Sequence, residues 1–145
     1  MLKYSLLFII LFILFLTCTK NRFTSTPIVI FDSSDKKYIN SGDSLILYFT
    51  FRDKEGDIAK IFKLRKRILN QNQPNSDYDI ELKSPADVPE SSNLTGSIKL
   101  ELSYFEHIGS PLTFENDTVR FGLAIIDKAN HMSDYAYTDT LIIVR

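Results

Sequence analysis

Regular alternation of apolar with other side chains is the feature that most constrains how this chain can fold. Residues 44–52, SLILYFTFR, carry an apolar residue at every second position. Because successive side chains of a β-strand point to opposite faces, this pattern predicts a strand with one face in a core. The turn-forming segments NSGD and DKEGD bound it on either side. The side chains predicted to face the core are Leu45, Leu47, Phe49 and Phe51.

Several other segments show the same period of two, and turn-forming residues separate them. Residues 70–77 and 84–97 are rich in polar and turn-forming residues and are predicted to be loops. About seven short strands with turns between them predict an all-β fold, an immunoglobulin-like antiparallel β-sandwich. In that fold the strands are A at 27–31, B at 44–52, C at 58–69, C′ or D at 77–83, E at 97–104, F at 118–127 and G at 135–144.

Residues 58–69, IAKIFKLRKRIL, are compatible with either a strand or a helix, because their apolar residues fit both periods. The surrounding segments all have strand periodicity, which favours a strand. The basic side chains of this segment predict the solvated outer face of a sheet, with a phosphate-binding patch as the alternative. Aromatic interleaving, which would indicate a nucleic-acid surface, is missing. The basic residues are Lys60, Lys63, Arg65, Lys66 and Arg67.

Composition narrows the classes of function. The chain has 145 residues, 44% of them hydrophobic, and a formal net charge of −1. A net charge so close to zero gives no overall field that would attract nucleic acid, so we expect no nucleic-acid partner.

The motifs H-E-x-x-H and G-x-S-x-G and the P-loop are absent from the sequence. We therefore expect a non-catalytic protein; an enzyme or inhibitor would need a deep pocket with convergent polar groups.

The first 17 residues, MLKYSLLFIILFILFLT, have the organisation of a signal peptide. Lys3 gives a short basic region, and an unbroken apolar run of 11 residues extends from Leu6 to Leu16. As a helix this run would span roughly 16 Å, which is shorter than the ~30 Å hydrocarbon core of a bilayer. The sequence therefore predicts a cleaved signal at 1–17 and a sandwich domain at 27–145.

Cys18 is the only cysteine, so an intrachain disulfide is impossible. Residues 15–18, FLTC, resemble a bacterial lipobox, although Phe15 and Thr17 replace the Leu and the Gly, Ala or Ser usual in that motif; Thr17 is small enough to be tolerated. The resemblance implies that Cys18 is lipidated and anchors the mature chain in a membrane, with 18–26 as the lipidated cysteine and a polar tether. The alternatives are a signal anchor that is never cleaved and a cleavage elsewhere that discards Cys18.

Oxygen-bearing side chains cluster in the predicted B–C and F–G loops, which lie at the same end of an immunoglobulin-like sandwich. Such a cluster suits Ca²⁺, which takes six to eight oxygen ligands, and the spacing differs from an EF-hand loop. The alternative is turn chemistry, in which Asp and Asn cap their own backbone and Gly56 supplies a positive φ. His131 is a further possible ligand, although a solvated loop histidine is favoured, and His107 is expected to be structural or exposed. The predicted ligands are Asp53, Glu55, Asp57, Asp127, Asn130 and Asp134.

The segments GDSLILYFTFRDKEGD and DTVRFGLAIIDKANHMSD, preceded by a cysteine and a polar tether, resemble small envelope lipoproteins of Bacteroidota-type bacteria with one immunoglobulin-like domain. The resemblance covers nearly the whole chain and implies a location and a fold, together with a protein or glycan partner in the envelope. Cys18 is followed by TKNR and lacks the acidic run that resembles a surface-export tag in related lipoproteins. The periplasmic face of the outer membrane is therefore favoured over the cell surface.

Three short tripeptides, DSL, DTV and DTL, are similar to the O-glycosylation sites of secreted Bacteroidota proteins. They predict modification of Ser44, Thr118 or Thr140. The alternative is structural, because a turn Asp followed by the first residues of a strand produces the same tripeptide.

Overall fold

The computed structural model describes residues 25–70, 77–83, 90–109 and 115–144. The predicted signal peptide, Cys18 and most of the tether lie outside the described residues. Within the described ranges the chain forms nine strands and one π-helical turn at Tyr104–Ile108. The strands are β1 (Ile28–Ser34), β2 (Tyr38–Ile39), β3 (Ser44–Asp53), β4 (Ile58–Ile68), β5 (Asp77–Lys83), β6 (Leu94–Ser103), β7 (Asp117–Asp127), β8 (Ala136–Tyr137) and β9 (Leu141–Ile143).

The strands form two sheets, and the predicted all-β sandwich is confirmed. One sheet has the order β1-β3-β6, and the other has the order β2-β9-β7-β4-β5, with β8 also paired to β7. This is the division of an immunoglobulin domain, in which the second and sixth strands of the Greek key belong to opposite sheets. The pairings are antiparallel except for β2 with β9, which is parallel. No helix in the described part of the chain is long and apolar enough to span a bilayer.

Two boundaries differ from those that the sequence predicts. Strand β6 begins at Leu94, inside the predicted loop 84–97, and Gly96 is paired with Phe51. A Cβ at Gly96 would lie 2.5 Å from the Phe51 ring, so the glycine that suggests a loop is needed for close packing. The predicted last strand is split into β8 and β9, because the Thr138 hydroxyl accepts the backbone N–H of Phe121 at 3.1 Å in place of a carbonyl.

The core lies between the two sheets and contains the side chains that the alternation predicts. Leu45, Leu47 and Phe49 are fully buried, and Phe51 is 7% exposed. The ring of Phe49 meets Phe31 of β1 edge-on, with their centroids 5.5 Å apart. Strand β7 is the central strand of its sheet and is buried at most of its positions, including Val119, Phe121, Leu123 and Ile125.

The segment 58–68 is a strand, but it does not present all its basic residues to solvent. Lys66 points inward with 0% exposure, and its Nζ donates to the carbonyl oxygen of Ile108. The expectation of a solvated outer face is therefore wrong for Lys66, because this residue has the same strand parity as Leu64 and Ile68. The side chain of Lys60 is outside the described residues.

Two of the remaining basic residues of β4 are paired with acids of β5. Lys63 contacts Glu81, and Arg65 donates two hydrogen bonds to Asp79, at 2.6 and 2.8 Å. These bonds hold the pKa of the Asp79 carboxyl below its ordinary value. The guanidinium of Arg65 also lies 4.1 Å from the ring centroid of Tyr135. The outer face of β4 and β5 thus carries a network of paired charges.

Candidate functional site

Three loops meet at one end of the sandwich, and we call residues 53–57, 90–93 and 127–135 the loop end. The backbone N–H of Lys128 donates to the carbonyl of Asp57 at 2.9 Å and joins the β3–β4 loop to the β7–β8 loop. The N–H of Asn93 donates to the carbonyl of Lys54 at 2.9 Å and ties in the third loop. The predicted B–C and F–G loops therefore do lie side by side.

Asp53 and Asp57 occupy the start and the end of the β3–β4 turn. Asp53 is 2% exposed, and its Oδ2 accepts the backbone N–H of Asp57 at 3.0 Å. Its other oxygen, Oδ1, is buried and has no hydrogen-bond partner, and the same holds for Oδ1 of Asp57. Buried polar atoms in folded proteins are nearly always hydrogen-bonded, so two orphaned carboxylate oxygens in one turn require an explanation.

Asp127 is the third acid of the loop end and is completely buried. Its Oδ1 accepts the backbone N–H of His131 at 2.7 Å, and its Oδ2 lies 2.8 Å from Nδ1 of the same histidine. Asn130 has a positive φ of 66° and donates its backbone N–H to the carbonyl of Asp127 at 3.1 Å. The turn from 127 to 131 thus fixes the Asp127 carboxylate in one orientation.

The electrostatics of this end favour a bound proton or cation. Burial raises the pKa of Asp57, and the negative charges of Asp127 and Asp53 raise it further. Hydrogen bonding to the Asp53 side chain also raises the pKa of Asp57. Three carboxylates from two loops are therefore held together against their mutual repulsion.

The structure brings together part of the predicted ligand set. Glu55, Asp127 and His131 each present a ligand atom, and these atoms lie within 4.8 Å of one another. Asn130 instead forms the turn, and Asp134 lines a concave surface described below. His131 belongs to the cluster and is also exposed, as expected of a solvated loop histidine. The signal for its role is its spacing of four from Asp127, which a tight turn converts into a contact.

Two concave surfaces adjoin the loop end where β1 begins. One, of about 250 Å³, is lined by residues that include Ile28, Arg52, Lys54 and Leu94. The other, of about 340 Å³, is lined by Pro27, Val29, Asp134 and Tyr135 among others. Thr26 and Ile28 line both surfaces, and Ile28 is 52% exposed. The concave surfaces therefore flank Thr26 and Ile28, beside the start of β1.

The remaining predicted residues lie elsewhere. Ser44 is exposed at the first position of β3, and Thr140 receives a hydrogen bond from Arg120 Nε at 3.3 Å. Thr118 is partly buried in β7, and its backbone N–H donates to Asn70 at 3.0 Å. His107 lies in the π-helical turn, where its Nδ1 accepts the N–H of Ser103 at 3.3 Å, so its role is structural. O-glycosylation at the three hydroxyls stays a prediction.

No protein-family model matches the chain, and no curated protein matches it. Among solved structures, the sporulation control protein Spo0M from Bacillus subtilis aligns with 84% of this chain, at 9% identity and a TM-score of 0.44. The β-glucosidase EmGH1 from Erythrobacter marinus aligns with 81% of it, at 14% identity and a TM-score of 0.43. A β-glucosidase from Listeria innocua, in complex with gluconolactone, aligns with 83%, at 10% identity and a TM-score of 0.42. The chain spans 51% of Spo0M and 16% of each glucosidase, and at these scores the likenesses support no conclusion about function.

Proposed function

We propose that this chain is a lipid-anchored, non-catalytic binding module of a bacterial envelope and that it binds a protein or glycan at its loop end. The observation that carries the proposal is the pair of concave surfaces that share Thr26 and the exposed Ile28. Loops at the end of a rigid sandwich are common binding surfaces, because they vary without disturbing the core. The resemblance to Bacteroidota-type lipoproteins supports the periplasmic face of the outer membrane as the location.

The length of the tether sets where this surface acts. Strand β1 begins at Ile28, ten residues after Cys18. Ten residues of fully extended chain reach at most about 35 Å. A lipid on Cys18 would therefore keep the loop end within that distance of the membrane, and the surface would meet partners close to the bilayer.

The anchor is tested by Cys18→Ser. In the native host we expect the unmodified chain to incorporate labelled palmitate and to sediment with membranes, and the variant to lose both properties, because serine has no thiol to carry a diacylglyceryl group. Thr19→Ala, one residue further on, is the matched control and should keep the label. Equal labelling of the Cys18→Ser variant, or no labelling of the unmodified chain, would contradict the anchor.

The binding surface is tested by Ile28→Lys, which places a charge between the two concave surfaces. We expect crosslinking of the membrane-bound chain to its envelope partner to fall at least about tenfold, since a charge in an apolar contact is poorly compensated. Ile61→Lys, at a residue 37% exposed on the other sheet, is the control and should leave crosslinking unchanged. The same loss in both variants would show that the partner does not bind at the loop end.

A second candidate function is a Ca²⁺-stabilised adhesion module that uses the carboxylates of the β3–β4 and β7–β8 loops. The orphaned oxygens of Asp53 and Asp57 favour it, because a cation would satisfy both.

A further inference from the structure

We propose that this chain binds a second copy of itself head to tail, with Phe105 and Glu106 of one copy seated in a concave surface at the loop end of the next. We call these two residues the knob, and we call the concave surface of about 250 Å³ beside Ile28 the socket. The inference rests on the proposed function and deepens it, because it names the protein that the loop end binds. Since the knob and the socket are different surfaces, the contact is heterologous and can repeat from copy to copy.

The knob stands on a turn that is held in place. Phe105 is 80% exposed, the highest value among the large apolar side chains that the structure describes. It belongs to the π-helical turn, which the N–H of Gly109 closes by donating to the carbonyl of Tyr104 at 2.6 Å. The buried ring of Tyr104 meets Phe105 edge-on at 5.5 Å between centroids, and Lys66 Nζ donates to the carbonyl of Ile108. The turn therefore presents Phe105 in a fixed position, which lowers the entropy lost on binding.

The knob and the socket lie at opposite ends of the sandwich. Strand β6 runs from Leu94, which is paired with Asp53, to Ser103, which is paired with Ser44. Leu94 and Asp53 line the socket, and the knob begins two residues after Ser103. A strand of ten residues is about 30 Å long, so Phe105 cannot reach the socket of its own chain. The socket can therefore receive a Phe105 ring only from another copy.

The socket has the size and the lining for an aromatic ring. A cavity of about 150 Å³ is large enough for benzene, and the socket, at about 250 Å³, exceeds that volume. Ile28 and Leu94 supply apolar lining, and Ile28 is 52% exposed. A ring seated here would remove exposed apolar surface from water on both copies, which is the main favourable contribution to such a contact.

The charges of the two surfaces are opposite. In the knob, the side chain of Glu106 is 75% exposed. The socket is lined by the exposed cations Arg52 and Lys54, whereas Asp53, which also lines it, is only 2% exposed. Seating Phe105 brings the neighbouring carboxylate of Glu106 to the end that carries both cations. Because complementary charges suppress wrong partners and fix the register of a contact, they favour the knob over an acyl chain or an uncharged apolar peptide.

The experiment is crosslinking of the full chain, purified in detergent, with a carbodiimide, which joins a carboxylate directly to an amine. We use about 100 µM protein, because a contact made mainly by one side chain is small and therefore weak. We expect dimers and larger species, and mass spectrometry should find Glu106 of one chain bonded to Lys54 of another. Mixing isotope-labelled with unlabelled chains shows that the bond joins two molecules.

Two variants each remove one half of the contact. Phe105→Ala removes the ring, and Arg52→Glu makes the socket repel Glu106, so each should lower the Glu106–Lys54 crosslink at least about tenfold. A mixture of the two variants should recover crosslinked dimers without larger species. The reason is that the Phe105→Ala chain keeps its socket and the Arg52→Glu chain keeps its knob. Only a heterologous contact gives this complementation.

Tyr38→Ala is the matched control for Phe105→Ala, because it removes an aromatic ring that is 58% exposed on β2. It should leave the crosslink unchanged. Phe105 and Arg52 are exposed, so we expect their variants to fold, and cooperative unfolding followed by circular dichroism checks this. If Arg52→Glu does not fold, Thr95→Glu takes its place, since Thr95 is exposed and also lines the socket.

Three results would overturn the proposal. The first is the absence of a Glu106–Lys54 bond between chains, the second is an equal loss in Tyr38→Ala, and the third is a mixture of the two variants that stays monomeric. The proposed function is separable from this inference through the membrane-bound chain. If Phe105→Ala keeps crosslinking to the envelope partner while Ile28→Lys loses it, the loop end binds a different molecule; the inference then fails and the proposed function stands. If Ile28→Lys keeps that crosslink, the proposed function fails as well.

Discussion

Gly56→Ala is expected to lower the free energy of unfolding by about 2–4 kcal/mol, through backbone strain and a steric clash together. Gly56 has a φ of +69°, a conformation in which an L-residue is strained. A Cβ at this position would also overlap the carbonyl group of Ser91, which is backbone and cannot move without displacing the 90–93 loop. The Ser91 N–H donates to the Gly56 carbonyl at 3.3 Å, so the substitution should disturb that contact as well.

The matched control is Gly42→Ala. Gly42 has a φ of +85°, but a Cβ there would meet nothing within 4 Å. Gly42→Ala should therefore lower the free energy of unfolding only by the backbone strain, about 1–2 kcal/mol. Urea denaturation followed by circular dichroism gives both values, and the excess at Gly56 measures how firmly Ser91 is held. Equal losses at the two glycines would show that the loops of this end are not packed as described.

Phe49→Ala is expected to destabilise the domain by about 3–5 kcal/mol, the usual cost of removing a buried phenylalanine from a core. Phe49 is completely buried on β3, where it is paired with Phe31 on one side and Ile98 on the other. The Phe49 ring lies in the core between the two sheets. An alanine at this position would therefore leave a cavity lined by side chains from several strands. The loss should appear as a lower midpoint in urea with a similar slope.

Tyr48→Ala is the control for this prediction, because it removes an aromatic ring at the adjacent position of the same strand. Tyr48 is 40% exposed on the outer face, and its loss should cost less than about 1 kcal/mol. If the two substitutions were equally damaging, the assignment of the two faces of β3 would be wrong.

The faces of the longer strands could be predicted from the sequence because each has one dominant period. In β3 the four apolar residues from Leu45 to Phe51 are all in the core, and in β7 the same is true of Val119 to Ile125. In β3 a slip of one residue would turn all four of these side chains toward solvent, so the pattern fixes the register of that strand strongly. Segment 58–68 is ambiguous in sequence because its apolar residues fit two periods, and pairing with β5 and β7 makes it a strand.

Lys66 and Thr138 show what a local pattern cannot predict. The carbonyl that receives the Lys66 hydrogen bond belongs to Ile108, 42 residues further along the chain. The Thr138 hydroxyl replaces a backbone acceptor for Phe121, which breaks the last strand although its side chains alternate. Both depend on partners that are distant in sequence, so neither local propensity nor period reveals them.

The candidate site was predictable in its location and less so in its members. The sandwich topology brings the loops after β3 and β7 together, and this places Asp53, Asp57 and Asp127 at one end. The sequence does not tell which way each loop residue turns. Asn130 takes the left-handed position of a turn, and Asp134 lines a concave surface together with Thr26 and Pro27. Only backbone geometry separates these two from the three acids.

The parallel pairing of β2 with β9 has a mechanical consequence. Ile142 N donates to Lys37 O at 2.9 Å and Val144 N donates to Ile39 O at 2.8 Å, so these bonds join the N-terminal part of the chain to its last strand. A force that draws those two segments apart acts along parallel neighbouring strands, across their hydrogen bonds. The bonds must then shear together, whereas those of a hairpin pulled from its open end break one after another. The fold therefore resists tension that draws β2 and β9 apart along their length.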